Sequence, residues 1–182
     1  MWKNGEIKFI FTIVIVFYLK QNKNIMTFVG EHSGKLDAKA RVLLPAPLKR
    51  QLNSSDETLR FVLKKSNYKQ CLELHPIESW TAMMTQLTKK LNPIFNKKHN
   101  VFLTQFAKGT VEVSLDAMGR LLVTKNLFDF AGFSKELVFL GVGAVIEIWD
   151  KSKYDANESM LSQSDFEQLA TEIFGDNFNL YE

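Results

Sequence analysis

Short apolar runs separated by polar turns fill most of the chain between residues 30 and 150. Runs rich in branched and aromatic side chains are typical of strands, while clusters of Gly, Asn, Asp and Ser are typical of turns. The pattern predicts, in order, a strand over 30–37, a strand over 41–44, a short helix over 45–52, and strands over 61–63 and 71–74. A turn through Tyr68 and Lys69 closes the last two strands into a hairpin.

The segment 36–44 returns 79 positions later as the segment 115–123, with its aspartate and its arginine unchanged. The apolar runs that follow the first copy return as well, at residues 137–140 and 145–148. Self-similarity at a fixed spacing signals a duplicated structural unit. We therefore expect one unit of strand, turn, strand, helix, strand and strand, used twice.

The segment between the two copies carries a helical pattern. Its apolar residues recur at spacings of three and four, and they are Trp80, Met83, Met84, Leu87 and Leu91. We expect Pro93 to open a second helix that contains Ile94, Phe95, Val101, Phe102 and Phe106. Such a stripe indicates core packing or a subunit contact. The lysines around it indicate a solvated face or, alternatively, a surface that binds a polyanion such as DNA.

Both ends of the chain differ in composition from this body. Residues 7–19 are almost wholly apolar but too few to span a bilayer as a helix. We expect residues 1–25 to be a non-native or mis-annotated leader, with translation beginning at Met26; a signal or anchor and an extra strand are the alternatives. At the other end, Ser164 and Glu167 form a capping box that predicts an amphipathic helix ending at Gly175.

Charge placement is more informative than the formal net charge of +3. Residues 26–154 hold 19 basic and 12 acidic residues, a net charge of +7, whereas residues 155–182 hold seven acids and no Lys or Arg. A basic body with an acidic tail favours a polyanion as partner. The one cysteine, Cys71, lies in an apolar run and is expected to be a buried structural thiol.

The chain contains two Asp-x-x-x-Arg motifs, at 37–41 and 116–120. Each is followed later in its copy by a second motif, Leu-Glu-Leu-His-Pro at 72–76 and Phe-Leu-Gly-Val-Gly at 139–143. With these motifs the stretch 26–149 resembles the MraZ transcriptional regulators, whose halves are similar to the SpoVT/AbrB swapped-hairpin fold. One position departs from the usual Asp-x-x-Gly-Arg, because Ala40 stands where the second copy keeps Gly119. If that position needs a positive φ, alanine costs about 1 kcal/mol there, and we expect a rearranged first turn.

The resemblance implies an α+β protein whose duplicated β-α-β-β halves exchange hairpins and form a pseudo-two-fold β-barrel, with linking helices. The expected boundaries are 30–77 for the first half, 78–107 for the helical linker, 108–151 for the second half and 152–182 for the acidic tail.

Basic residues crowd around the first motif, where Lys35, Lys39, Arg41, Lys49 and Arg50 lie within 16 residues. A strand-turn-strand ribbon fits the DNA major groove, although composition alone favours a solvated face. The resemblance implies that Lys39, Arg41 and Arg120 contact DNA, and we add Lys35; Met118 replaces the second lysine. We expect Asp37, Asp116 and Gly119 to shape the turns.

The resemblance also implies the function. It implies a sequence-specific DNA-binding regulator that forms a homo-oligomeric ring and binds short tandem repeats in double-stranded DNA upstream of the division and cell-wall gene cluster. We expect it in the cytoplasm, associated with the nucleoid, with no membrane contact and no small-molecule substrate.

Two other functions remain open from the residues. An AbrB-like antidote module would bind a protein toxin, and a hydrolase would share a proton between Asp37 and Asp116. We expect no enzyme, since the chain has no Gly-rich phosphate loop and no nucleophile-elbow serine motif. We expect no cofactor or metal, because Cys71 and His75 supply two ligands where a structural zinc needs four. We expect Glu147 and Asp150 to be surface charges beside Trp149.

Overall fold

A computed structural model describes residues 27–52, 59–156 and 161–175. The chain divides into a unit that ends at Lys151 and a second unit that begins at Ser152. The predicted leader lies outside the described residues, and so do residues 53–56, whose polar composition predicts a loop.

The two copies of the repeat contain the same elements in the same order. The first copy holds β1 (Glu31–Lys35), β2 (Arg41–Leu43), α1 (Ala46–Arg50), β3 (Arg60–Lys65) and β4 (Leu72–Pro76). Two helices follow, α2 (Ile77–Lys90) and α3 (Lys97–Ala107). The second copy holds β5 (Val111–Ser114), β6 (Arg120–Leu122), α4 (Lys125–Ala131), β7 (Glu136–Val142) and β8 (Val145–Asp150), and the chain continues into α5 (Lys151–Asp155) and α6 (Gln163–Phe174). The predicted α+β class is confirmed.

The copies exchange their first strands. Six antiparallel strands form one sheet in the order β1-β7-β8-β4-β3-β5, so β1 pairs with β7 of the other copy and β5 pairs with β3. At the centre β4 pairs with β8, with Glu73 opposite Glu147. The strands β2 and β6 form a separate two-stranded sheet. Among the described residues the larger sheet has free edges at β1 and β5, so the predicted closed barrel is not confirmed.

One contiguous core of buried apolar side chains includes residues of both sheets. Phe28, Phe61 and Phe139 are at most 1% exposed, and burying side chains of this size stabilises the fold by about 1.5–3 kcal/mol each. Gly34 makes room for one of them, because a Cβ at that position would lie 2.5 Å from the Phe139 ring. The glycine therefore allows β1 to pair with β7 without a clash with the Phe139 ring.

The linking helices differ from the prediction at one boundary. The stripe on α2 is half-buried as expected, and Trp80 stacks on Phe106 of α3 with ring centroids 5.8 Å apart. Pro93, however, does not open α3. The helix begins at Lys97, because the Asn96 side chain accepts hydrogen bonds from two N–H groups of its first turn, and Pro93 lies in a turn before it.

The C-terminal helix also begins two residues before its predicted start. Ser162, rather than Ser164, is the N-cap of α6, since its hydroxyl accepts a hydrogen bond from the Asp165 N–H. The helix ends at Gly175 (φ 80°) as predicted. Within the described residues no helix combines the length and the apolar character needed to cross a bilayer.

Candidate nucleic-acid interface

The first Asp-x-x-x-Arg motif is a closed turn built on one carboxylate. Oδ1 of Asp37 accepts hydrogen bonds from the backbone N–H groups of Lys39 (2.8 Å) and Arg41 (2.9 Å). Oδ2 accepts from Nε of Arg41 at 2.8 Å and lies 2.7 Å from its Nη2. A short acidic side chain suits this position because it reaches N–H groups two and four residues ahead. The same carboxylate that shapes the turn therefore fixes the guanidinium.

The second motif repeats this geometry almost atom for atom. Asp116 accepts from the N–H groups of Met118 (2.9 Å) and Arg120 (3.0 Å). Its other oxygen lies 2.8 Å from both Nε and Nη2 of Arg120. Each aspartate thus accepts backbone and side-chain hydrogen bonds within its own turn.

The fourth position of each turn has a positive φ, 55° at Ala40 and 78° at Gly119. The first turn is not rearranged, because the backbone bonds that close it, including Ala40 N–H to Asp37 O at 3.1 Å, match those of the second. Alanine accepts the left-handed region at a cost of about 1–2 kcal/mol. The expected rearrangement is therefore wrong, and the strain is absorbed in place.

Pairing of β2 with β6 brings the two turns side by side. Val42 lies opposite Leu121, and the ladder extends at both ends through Leu44 N–H to Gly119 O (3.1 Å) and Val123 N–H to Ala40 O (2.9 Å). The two motifs, which lie 79 residues apart in sequence, form one surface, and a local two-fold axis relates one motif to the other.

The two arginines lie close to one carboxylate at the centre of this surface. Nη1 of Arg120 is 3.8 Å from Oδ2 of Asp37, which also holds Arg41. The side chains of Arg41 and Arg120 are 29% and 24% exposed. Both guanidinium groups are therefore held in fixed positions at the protein surface, where a ligand can reach them.

Both aspartates are ionised at neutral pH. Hydrogen bonds from the Arg41 backbone and side chain lower the pKa of Asp37 to about 2. The Arg120 side chain and backbone lower the pKa of Asp116 in the same way. A proton-sharing pair needs one carboxyl whose pKa is raised, so this arrangement argues against the hydrolase alternative.

The predicted lysines lie at the rim of the paired turns. Lys39 is exposed at the first turn, and Met118, 69% exposed, holds the matching place in the second. Lys35 stands at the end of β1, opposite Glu136 of β7. Lys49 is not among the predicted site residues, yet its Nζ lies 3.7 Å from the position that a Cβ on Gly119 would occupy. Only the pairing of the two copies brings this cation to the second turn, and the local pattern around Lys49 does not show it.

The buried charged and histidine side chains of the described residues lie on β3, β4 and β8, and they are Lys64, His75, Glu147 and Asp150. Glu73 accepts hydrogen bonds from Lys64 (3.1 Å) and contacts His75 (3.2 Å), while Glu147 accepts from Lys69 (2.7 Å) and from the Trp149 indole (2.9 Å). The prediction of surface charges at Glu147 and Asp150 is wrong, because both are at most 6% exposed. Asp150 accepts from the Ser134 N–H at 2.7 Å.

Cys71 is fully buried in the same region. Burial and the nearby glutamates raise the pKa of its thiol to about 12. A thiol that stays protonated at neutral pH is unreactive, which agrees with the predicted structural role.

The chain matches the family model described as "MraZ protein, putative antitoxin-like" over residues 27–104 and again over residues 106–177. The chain belongs to the MraZ family. The Transcriptional regulator MraZ of Flavobacterium psychrophilum is 44% identical over 151 residues, which cover 82% of this chain and 92% of that protein. The Christiangramia forsetii regulator of the same name is 39% identical over 83% of this chain and 95% of its own length. The one from Clostridium tetani is 34% identical over 80% and 96%.

Membership of the MraZ family confirms the resemblance drawn from the two motifs. The relatives carry the name of transcriptional regulators, which supports a regulator of transcription and points away from an enzyme.

Proposed function

We propose that this chain is a sequence-specific DNA-binding transcriptional regulator whose paired Asp-x-x-x-Arg turns contact duplex DNA. The observation that carries the proposal is the meeting of both turns on one two-stranded sheet, with Arg41 and Arg120 near a shared carboxylate. A two-stranded ribbon is narrow enough to enter the major groove. The local two-fold axis suits a duplex, whose strands are related by two-fold axes of their own.

The aspartates prepare the arginines for binding. Arg41 gives Nε and Nη2 to Asp37, whereas its Nη1 has no hydrogen-bond partner among the described residues. A guanidinium that is already oriented loses less side-chain entropy when it meets a base edge or a phosphate. The ion pairs therefore favour DNA contact by holding the donors in place.

Lysines around the turns supply the sequence-independent part of the affinity. Lys35 precedes the first turn, Lys39 lies within it, and the side chain of Lys49 extends to the second turn. Cations of this kind neutralise phosphates and release counterions, so binding weakens as the salt concentration rises. Arg41 and Arg120 would then provide base contacts, because their planar fork matches guanine O6 and N7.

Assembly completes the proposed function. The strand exchange between the copies supports a swapped-hairpin relation of the halves 30–77 and 108–151, with 78–107 as linker. We propose that such units form a homo-oligomeric ring on tandem repeats upstream of the division and cell-wall gene cluster. A ring that engages several repeats gains affinity through effective concentration, without stronger single contacts. Such a regulator would be found with the nucleoid in the cytoplasm.

A second candidate function is that of an antitoxin, because the description of the matching family model includes the words "antitoxin-like". An antidote module would bind a protein toxin. Binding of a protein toxin does not require two arginines on a ribbon that is narrow enough for the major groove. The affinity for such a partner would also not depend on DNA sequence.

A gel shift on DNA from upstream of the protein's own gene tests the proposal. Arg41→Ala and Arg120→Ala should abolish specific binding while the circular dichroism spectrum stays native. Arg60→Ala is the matched control, because Arg60 is also exposed and ion-paired, with Glu112 at 3.3 Å, but lies on β3. Wild-type affinity should fall steeply between about 50 and 200 mM salt. Wild-type affinity in both turn variants would refute the assignment.

A further inference from the structure

The ribbon formed by β2 and β6 has one apolar pair on each of its faces. Successive side chains of a strand point to opposite faces. Val42 and Leu121 point inward and are 0% exposed, whereas Leu43 and Leu122 are 56% and 55% exposed. Arg41, two residues before Leu43, shares the outer face, as Arg120 does with Leu122. The face that presents the arginines therefore also presents two leucines.

Each leucine stands beside the arginine of the other copy. The register places Leu122 opposite Arg41 and Leu43 opposite Arg120. Side chains directly opposite in an antiparallel pair have Cβ atoms about 4.5–5.5 Å apart. In addition, Cδ1 of Leu43 lies 3.7 Å from the place of a Cβ on Gly119 in the second turn. A ligand that binds an arginine on this face therefore lies close to a leucine of the other copy.

The charges around the two leucines select the occupant. Arg41, Arg120 and Lys49 border them, and because Asp37 and Asp116 pair with the two arginines, the surface keeps a small surplus of positive charge. The Nη1 donor of Arg41 has no hydrogen-bond partner among the described residues, so the occupant must combine hydrogen-bond acceptors with small apolar groups. A second copy docked here by a two-fold axis would oppose the same surplus of positive charge and the same hydrogen-bond donors, which is unfavourable. The major groove fits, because the thymine C5-methyl lies beside the acceptor atoms of the base edges.

We infer that Leu43 and Leu122 contact thymine methyl groups and so contribute to the choice of DNA sequence. This inference rests on the proposed DNA-binding function. It assigns two side chains, one from each copy, to direct recognition beside the arginines.

The test compares two versions of the upstream DNA that differ only in thymine methyl groups. In the second version every thymine is replaced by deoxyuridine, which pairs normally but has no C5-methyl. Wild-type protein should bind the uracil version more weakly by roughly 4-fold for each methyl contacted, from the transfer free energy of one buried carbon. The slope of affinity against salt should not change, since the phosphate contacts are the same.

Substitution of the leucines should remove this difference between the two DNAs. Leu43→Ala with Leu122→Ala should weaken binding to thymine DNA and bind both versions equally, because the interaction requires both partners. Val142→Ala is the matched control: this aliphatic side chain on β7 is 46% exposed, and its loss should leave the thymine preference intact. Circular dichroism and urea unfolding establish that the variants are folded.

The possible results separate this inference from the proposed function. Equal binding of both DNAs by the wild-type protein, together with loss of binding in Arg41→Ala, overturns the role of the leucines and leaves the regulator proposal standing. A leucine variant that changes the native mass but keeps the full thymine preference also overturns it, and assigns the face to a second copy. Binding that is insensitive to both arginines contradicts the proposed function itself, and the inference with it.

Discussion

At the residue scale, Ala40 shows that the motif tolerates a substitution at its most constrained position. Its φ of 55° lies close to the 78° of Gly119, and both turns keep the same carboxylate bonds. The Asp-x-x-x-Arg spacing could be interpreted from sequence because all its bonds are local. The response to the missing glycine could not, since it depends on whether the surrounding ladder outweighs the strain.

This strain leads to a prediction for a reciprocal pair of variants. Ala40→Gly should raise the free energy of unfolding by about 1 kcal/mol, because glycine enters the left-handed region without a Cβ clash. Gly119→Ala should lower it by a similar amount. Urea unfolding monitored by tryptophan fluorescence measures both. An unchanged midpoint in Ala40→Gly would show that the first turn holds no strain.

The lowered pKa of Asp37 leads to a prediction about acid stability. Its folded pKa of about 2 lies below the ordinary value of 3.8, so its contribution to stability is complete above about pH 4 and is lost as pH falls through about 2. Asp37→Asn should therefore lose less stability than the wild type between pH 4 and pH 2, while being less stable at neutral pH. Urea midpoints across this range measure the difference. Parallel curves for the two proteins would contradict it.

The two buried carboxylates of β8 could not be predicted from the sequence. Glu147 and Asp150 resemble surface residues in a linear pattern, yet both are buried. Glu147 can be buried because Lys69, 78 residues away, supplies its counter-charge. A buried carboxylate needs a partner, and the sequence does not show a partner that only tertiary pairing provides.

At the scale of elements, apolar periodicity located the strands and helices, while the helix starts depended on capping. The prediction chose Pro93 and Ser164, whereas Asn96 and Ser162 accept the hydrogen bonds that begin α3 and α6. Proline at a helix start and Ser-x-x-Glu are both legitimate signals. Several candidates lay within a few residues of each other, and only the side-chain geometry decides among them.

The cap of α3 can be tested directly. Asn96→Ala should lower stability by about 1 kcal/mol, because two N–H groups of the first turn lose their acceptor. Pro93→Ala is the control, since Pro93 lies outside the helix and should change stability less. Thermal unfolding compares the two. A larger loss of stability in Pro93→Ala than in Asn96→Ala would indicate that the helix begins at Pro93.

At the scale of the whole molecule, the repeat predicted the order of elements but not their partners. Periodicity shows that β1 and β5 are strands, yet both pair across the copies, with β7 and β3. The two-stranded sheet of β2 and β6 follows from the same exchange, and it creates the candidate interface. A sequence pattern is local, whereas these pairings join residues at least 48 positions apart, as in Leu63 with Val111.

The proposed ring leads to a prediction about the number of DNA repeats. One pair of turns offers few contacts, so a single repeat should bind weakly even with both arginines in place. If several units are joined, each added repeat binds within one assembly, at an effective concentration in the millimolar range for short spans. Affinity for DNA with two and four repeats should then rise far more than two-fold and four-fold over a single repeat.

Gel shifts on fragments with one, two and four repeats, combined with native mass measurement of the free protein, test this expectation. A fragment with the same repeats moved by half a helical turn is the control, because it places neighbouring sites on opposite sides of the duplex and forbids simultaneous contact. Its affinity should fall back toward that of one repeat. The ring is contradicted if affinity grows only in proportion to repeat number and the free protein has the mass of one chain. Each unit would then bind alone, and the contacts of its own Arg41 and Arg120 would have to account for the whole affinity.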